Sequence, residues 1–171
     1  MENHKNTIVV NAFAGAGAGK TTCAWEISAE LKKQGLCVEY VSEYAKELVW
    51  DEKYELLDGS EKNQRMLLNE QEKRIKRLIG KVDVVVTDSP ILLSLLYCKA
   101  PTKEFHKEVL DCFNQYQNFN FFIECDLSKE FEKTGRIHGL KESQEKDREI
   151  KTTFTMVHII MRLLKSLYRI L

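Results

Sequence analysis

The sequence predicts an α/β domain in three layers, a mainly parallel five-stranded sheet with helices on both sides. Three observations carry this prediction. β-branched runs recur along the chain and give way to segments of helical period; a glycine cluster separates the first run from the first helix; and the clearest run, Val82 to Asp88, reads VDVVVTD, with consecutive valines that suit a strand covered on both faces. At 171 residues the chain has the size of one domain, so residues 1–171 are read as a single unit.

Thr7 to Ala12 (TIVVNA) is the first expected strand. Thr21 to Lys33 follows as a helix, with Ala24, Ile27, Ala29 and Leu31 as its apolar positions and Gly35 as its stop signal. Cys37 to Val41 (CVEYV) returns the chain to a strand, which makes a βαβ crossover and a parallel pairing. Ser42-Glu43-Tyr44 lead into a short helix, Ala45 to Trp50, and the polar stretch Asp51 to Ser60 reads as a loop. Asn63 to Ile79 carries Met66, Leu67, Ile75, Leu78 and Ile79 among many charges, the pattern of a long, half-exposed helix closed by Gly80.

After the valine strand, Ile91 to Cys98 and Lys103 to Tyr116 read as helices parted at Pro101, Phe119 to Cys125 as a fourth strand, and Leu127 to Lys133 as a short helix. Residues 134–148, with Gly135 and Gly139 among cationic groups, read as a lid segment. Phe154 to Ile160 fits either a fifth strand followed by a helix at Leu163 to Ile170 or part of one apolar helix; the alternating architecture favours the strand.

Composition narrows the partners. The 26 Lys and Arg residues balance 26 Asp and Glu residues, so no global field would hold the chain on a nucleic-acid backbone or an anionic membrane. No secretory apolar segment or membrane span follows the polar start at Met1 to Asn6, and the expected setting is cytoplasmic with no membrane partner. Cys23, Cys37, Cys98, Cys112 and Cys125 are scattered, odd in number and without a Cys-x-x-Cys pair, so they read as reduced, small apolar residues rather than metal ligands or disulfides.

Ala14 to Thr22 reads AGAGAGKTT between a buried strand and a helix, the context in which a Gly-rich GKT sequence has a mechanical meaning. The small residues Gly15, Ala16, Gly17, Ala18 and Gly19 let the backbone wrap phosphate oxygens, with the N–H groups of Gly17, Ala18 and Gly19 pointing into the nest and the helix N-terminus adding its positive end. Lys20 is then the cation for the β- and γ-phosphates, Thr21 a hydroxyl ligand for Mg²⁺, and Thr22 a donor near the α-phosphate. ATP and Mg²⁺ are the cofactors this loop implies. It departs from G-x-x-x-x-G-K-[ST] at Ala14, which requires that position to avoid positive φ.

Two carboxylates are expected on the same edge of the sheet. Asp88 ends the valine strand, where ligands sit in open α/β sheets, and can hold a water of the Mg²⁺ shell or accept a hydrogen bond from Thr21. Asp88, or Ser89 ahead of Pro90, could equally cap the next helix. Glu43 ends the second strand and can accept the proton of an attacking hydroxyl or orient it, with capping by Ser42 or Glu43 as its alternative. Tyr44 and Trp50 could stack on a base, although aromatics beside a short helix more often join the core. In the lid, Arg136 beside Gly135 reads as a hinged finger for the nucleotide and the transferring phosphoryl group; Arg148 converges on it only if the lid folds back, and Lys141 and His138 are minor additions.

The GAGAGKTT loop, the stretch VSEYAKE from Val41 to Glu47, the VVVTDSP segment and Gly135-Arg136 with acidic residues downstream resemble the P-loop kinases grouped with the ribosylnicotinamide-kinase domain, a set that includes small AAA-type ATPase-kinases of phages. The similarity covers most of the chain. It implies the P-loop NTPase fold and transfer of the γ-phosphate of ATP to a hydroxyl of a nucleoside, nucleotide or nucleoside-like small molecule. It also implies Glu43 on the acceptor side and Arg136 in the lid, which with Lys20 and Asp88 make the expected catalytic set.

Two other functions compete. A kinase of hydroxymethylated bases in phage DNA would want a basic stripe, against which the neutral charge balance argues. A nucleotide-dependent regulatory ATPase would transfer phosphate to water, and the Arg136 lid argues against that. The acceptor's identity, the choice between ATP and GTP, and a homodimeric assembly stay open.

Overall fold

The computed structural model describes residues 6–14 and 18–123. In chain order these form β1 (Ile8–Phe13), α1 (Lys20–Lys33), β2 (Val38–Val41), α2 (Tyr44–Trp50), a 3₁₀ turn (Tyr54–Leu57), α3 (Glu61–Lys76), β3 (Val84–Thr87), α4 (Leu93–Tyr97), α5 (Lys103–Asn114) and β4 (Gln117–Phe122). The expected short helix at Leu127 to Lys133, the lid at 134–148 with Arg136 and Arg148, and the choice between strand and helix at Phe154 to Ile160 lie outside the described residues, as do Gly15, Ala16 and Gly17.

The four described strands are all parallel, in the order β2-β3-β1-β4. Ile8 to Asn11 of β1 register with Val84 to Thr87 of β3, which in turn register with Val38 to Val41 of β2. The two-residue period sorts the side chains between two helix layers. Ile8, Val10, Val38, Tyr40, Val84, Val86, Phe119 and Phe121 pack with Ala24, Ile27 and Leu31 of α1. Val9, Phe13, Val41 and Val85 pack on the opposite face with Leu68 and Ile75 of α3, Leu93 of α4, and Phe105, Val109, Cys112 and Phe113 of α5.

That division follows from the order of the strands. The chain leaves β1 through α1 towards β2 and leaves β3 through α4 and α5 towards β4, so the two crossovers run in opposite directions. Right-handed crossovers then require the helices on opposite faces. Because β1 and β3 are neighbours, the loops at their carboxyl ends diverge and open a crevice between them, the usual place for a ligand in such a sheet.

Several expectations shift in detail. The long helix begins at Glu61 and ends at Lys76, and residues 77–80 finish as turns at Gly80, whose φ is 76°. Its buried face is Gln64, Leu68, Gln71 and Ile75, whereas Met66 and Leu67 are only partly buried; two of the four inward positions are glutamine, which a hydropathy pattern does not register. The segment read as a loop from Asp51 to Ser60 contains the 3₁₀ turn. Cys98 and Cys112 lie in the core, and burial, reinforced by the Glu72 carboxylate, pushes the Cys112 thiol up to about 12. Cys37 is exposed instead, at the entry to β2. No helix among the described residues is long and apolar enough to cross a membrane.

The α5 layer is anchored by Phe105, fully buried and directly preceded by the cap in which Thr102 Oγ1 accepts the Phe105 amide at 3.2 Å. Phe105→Ala should therefore lower the unfolding free energy by about 3–5 kcal/mol, read from equilibrium urea unfolding. A loss below about 1 kcal/mol would mean that α5 contributes little to the core.

Candidate functional site

The site begins where β1 runs out. Phe13 and Ala14 are buried, and the described chain resumes at Ala18 to enter α1 through Gly19, whose φ of 87° is left-handed. A Cβ at Gly19 would meet nothing within 4 Å, so this position requires glycine for its backbone conformation, not for room. Helix α1 has no side-chain cap and no acidic residue of its own in its first turn. Thr22 is exposed on that first turn.

Ala14 sits without strain, since Glu52 is the one non-glycine with positive φ among the described residues. Its carbonyl accepts a hydrogen bond from Lys20 Nζ at 3.0 Å, so the ammonium lies against the end of β1, across the loop. Thr21, the next residue, donates from Oγ1 to Asp88 Oδ2 at 2.5 Å. Asp88 is 1% exposed, and its second oxygen, Oδ1, is buried with no hydrogen-bond partner among the described residues. Its carboxylate turns to α1 and does not cap α4, whose N-cap position is Leu92 with no side-chain bond. A buried carboxylate oxygen with no donor is costly, which suits a site that takes a cation.

Tyr40 comes to the same place from β2. Its ring meets Trp25 of α1 edge-on, with centroids 6.2 Å apart. Burial, then the neighbouring Asp88 carboxylate and the charge of Glu43, hold its phenol well above the ordinary tyrosine range.

Glu43 occupies the N-cap position of α2, but its side chain makes no capping bond. It is half-buried at the end of β2, on the same edge as Asp88. Ser42 Oγ instead donates to Glu47 at 3.4 Å. Helix α2 is gripped by Arg74 of α3, which donates to both Glu47 oxygens at 2.6 and 2.7 Å and stacks 4.7 Å from the Tyr44 ring centroid. The hydrogen bonds from Arg74 hold the Glu47 carboxyl below its ordinary range. One face of Tyr44 is thus taken by Arg74. Trp50 is 60% exposed at the far end of α2, against the expectation that it joins the core.

Of the residues expected from sequence, Lys20, Thr21 and Asp88 converge at the crevice and Glu43 stands on the same edge; Ala18, Gly19 and Thr22 frame the start of α1. Two participants were not foreseen. Tyr40 reads in sequence as part of the strand CVEYV, whose alternation sets it on the face opposite Val41. Gln71 of α3 bonds to the main chain on both sides of Glu43. Its signal was spacing: Gln64, Leu68, Gln71 and Ile75 fall at helical intervals on one face.

The AAA domain family matches residues 10–165. No curated protein matches the sequence. Among solved structures, the crystal structure of APE1195 aligns with a TM-score of 0.45 at 18% identity, covering 89% of this chain and 75% of that one. A hexameric APS kinase from Thiobacillus denitrificans aligns with a TM-score of 0.44 at 15% identity, covering 90% of this chain and 30% of that one. A cysteine-to-alanine mutant of the Mycobacterium tuberculosis APS kinase CysC aligns with a TM-score of 0.42 at 14% identity, covering 87% and 96%.

The left-handed turn at Gly19 generates a test. Gly19→Ala should cost about 1–2 kcal/mol of stability and weaken binding of ATP with Mg²⁺, as read by chemical unfolding and by titration calorimetry. Unchanged values for both would show that the turn tolerates a right-handed backbone.

Proposed function

The chain belongs to the AAA domain family, and we propose that it is an ATP-dependent phosphotransferase moving the γ-phosphate to a hydroxyl of a nucleoside, nucleotide or nucleoside-like small molecule. The observation that carries this reading is the Thr21–Asp88 hydrogen bond, which joins the helix after the glycine loop to the end of the valine strand. A hydroxyl that gives its proton to a carboxylate keeps its lone pairs available as ligands, and Asp88 Oδ1, without a hydrogen-bond partner among the described residues, suits a hydrated cation. Thr21 and Asp88 are the residues that would hold Mg²⁺. When bound, it supplies charge neutralisation on the β- and γ-phosphates.

The remaining tasks fall to the chain itself. The amides of Gly17, Ala18 and Gly19 and the Thr22 hydroxyl cradle the phosphates, and Lys20 exchanges the Ala14 carbonyl for phosphate oxygens. Phosphoryl transfer asks for positioning and charge more than for covalent chemistry. Glu43 receives or orients the acceptor hydroxyl, from the strand beyond β3. Arg136 meets the transferring group from the lid at 134–148 and helps exclude water. The acceptor class, and the narrower grouping with the ribosylnicotinamide-kinase domain, rest on the VSEYAKE stretch. The neutral charge balance favours a small acceptor over duplex DNA.

Transfer from γ-labelled ATP to a panel of nucleosides, nucleotides and oligonucleotides tests the reading. Label should move to a nucleoside or nucleotide. Label found only in free phosphate, whatever the acceptor, would make the protein a regulatory ATPase; label on oligonucleotides with hydroxymethylated bases, falling steeply with salt, would make it a DNA kinase. Lys20→Ala should abolish transfer with the unfolding curve unchanged, and an active variant would remove the loop from the mechanism. Arg136→Ala should lower kcat far more than ATP affinity, whereas equal losses would make Arg136 a binding residue.

A further inference from the structure

Gln71 lies on the inward face of α3, 5% exposed, on the same stripe as Leu68 and Ile75. An apolar side chain there would extend that stripe, and burying an amide is costly unless it is paired. Its hydrogen bonds reach two strand ends. Oε1 accepts from the Tyr44 amide at 3.2 Å, and Nε2 donates to the Ser42 carbonyl at 3.2 Å and to Thr87 Oγ1 at 3.4 Å.

Ser42 and Tyr44 are the residues on either side of Glu43. β2 ends at Val41 and α2 begins at Tyr44, so Ser42 and Glu43 belong to neither element and the glutamine amide holds the chain that carries the carboxylate. Asp88 is bracketed in a related way. Thr87 precedes it, and the same Thr87 oxygen accepts from the Ser89 amide at 3.1 Å. Arg74, three residues along α3, restrains the Tyr44 ring and Glu47, which fixes α2 but not the peptide planes around Glu43.

We propose that Gln71 is a positioning residue for the transfer reaction, setting the acceptor carboxylate Glu43 at a fixed place relative to Asp88. The inference rests on the phosphotransferase reading above. Its consequence is kinetic, because a displacement of about 1 Å at a reacting group can cost on the order of a hundredfold in rate.

The test uses the full chain, γ-labelled ATP and the acceptor that takes up label in the panel above. Gln71→Met keeps length and volume but loses all three bonds. Hydrogen exchange at the Tyr44 amide should speed up by about tenfold or more, and kcat should fall by about 10–100-fold while KM for ATP moves less than about twofold. In the background of Glu43→Gln, the same change should cost nothing further, because Gln71 acts through Glu43. If the two losses multiply, or if kcat survives while Tyr44 exchange accelerates, the proposal is overturned.

Should Gln71→Met not fold, Gln71→Glu decides. A protonated carboxylic acid can both donate and accept as the amide does, and a carboxylate can only accept, so its kcat relative to the unaltered protein should rise as pH falls. A flat ratio would sink the inference. Glu43→Gln as fast as the unaltered protein would overturn the assignment of Glu43 and this inference with it. A slow Glu43→Gln with multiplying losses would sink the inference and leave the phosphotransferase reading standing.

Discussion

Thr21 and Asp88 are 67 positions apart and meet because β1 and β3 are paired in parallel with Ile8 against Val84 and Asn11 against Thr87. That register brings the end of β3 level with β1, so Asp88 emerges beside the turn into α1. Since side chains alternate along a strand, a slip by one residue would carry Val84 and Val86 off the α1 face and Val85 onto it. It would also move Asp88 away from Thr21. The hydrophobic sorting of the valine strand and the polar contact at its end are therefore one constraint, and the core holds the site in register.

The polar groups inside the core reinforce this view. Thr7 donates to the Val82 carbonyl and accepts from the Gly80 amide, and Asn11 donates to Asn118 and Asn120 across the β1–β4 pair. Asn118 in turn donates to the Phe113 and Tyr116 carbonyls, closing the end of α5 onto β4. Buried polar groups in stable proteins are paired in this way because an unpaired one forfeits its hydration. Among the described residues, Asp88 Oδ1 is the buried side-chain oxygen or nitrogen left without a partner. The exception falls on the residue that chain logic already sets at the crevice.

Much of this was legible in the sequence. The strand before AGAGAGKTT and the helix after it were readable from the change of period, and the place of Asp88 at the end of β3 from the valines and threonine before it. What escaped had a physical reason in each case. Gln71 and Gln64 face inward, yet their polarity removes them from any apolar stripe, so the inward face of α3 was drawn through Met66 and Leu67. Tyr40 looks like strand filling because its ring does pack with the α1 layer; its hydroxyl matters only once Asp88 and Glu43 are placed around it. Trp50 reads as core because aromatics beside a short helix usually are, but α2 is attached to α3 through Tyr44 and Glu47, and its last residue is exposed.

Depth then separates the two carboxylates. Asp88 is sealed from solvent and bound by Thr21, so it is suited to a charge that enters with the nucleotide and stays within the crevice. Glu43 is half-buried at a strand end, where a diffusing molecule can reach it. Two anionic groups on one edge repel each other, and a cation between them would tie them together at the expense of both roles. Tyr40 is neutral instead, as a phenol ordinarily is, and burial and those same charges raise it further above its usual range. In the proposed transfer Asp88 serves the nucleotide side and Glu43 the acceptor side, the division that a transfer between two bound molecules requires.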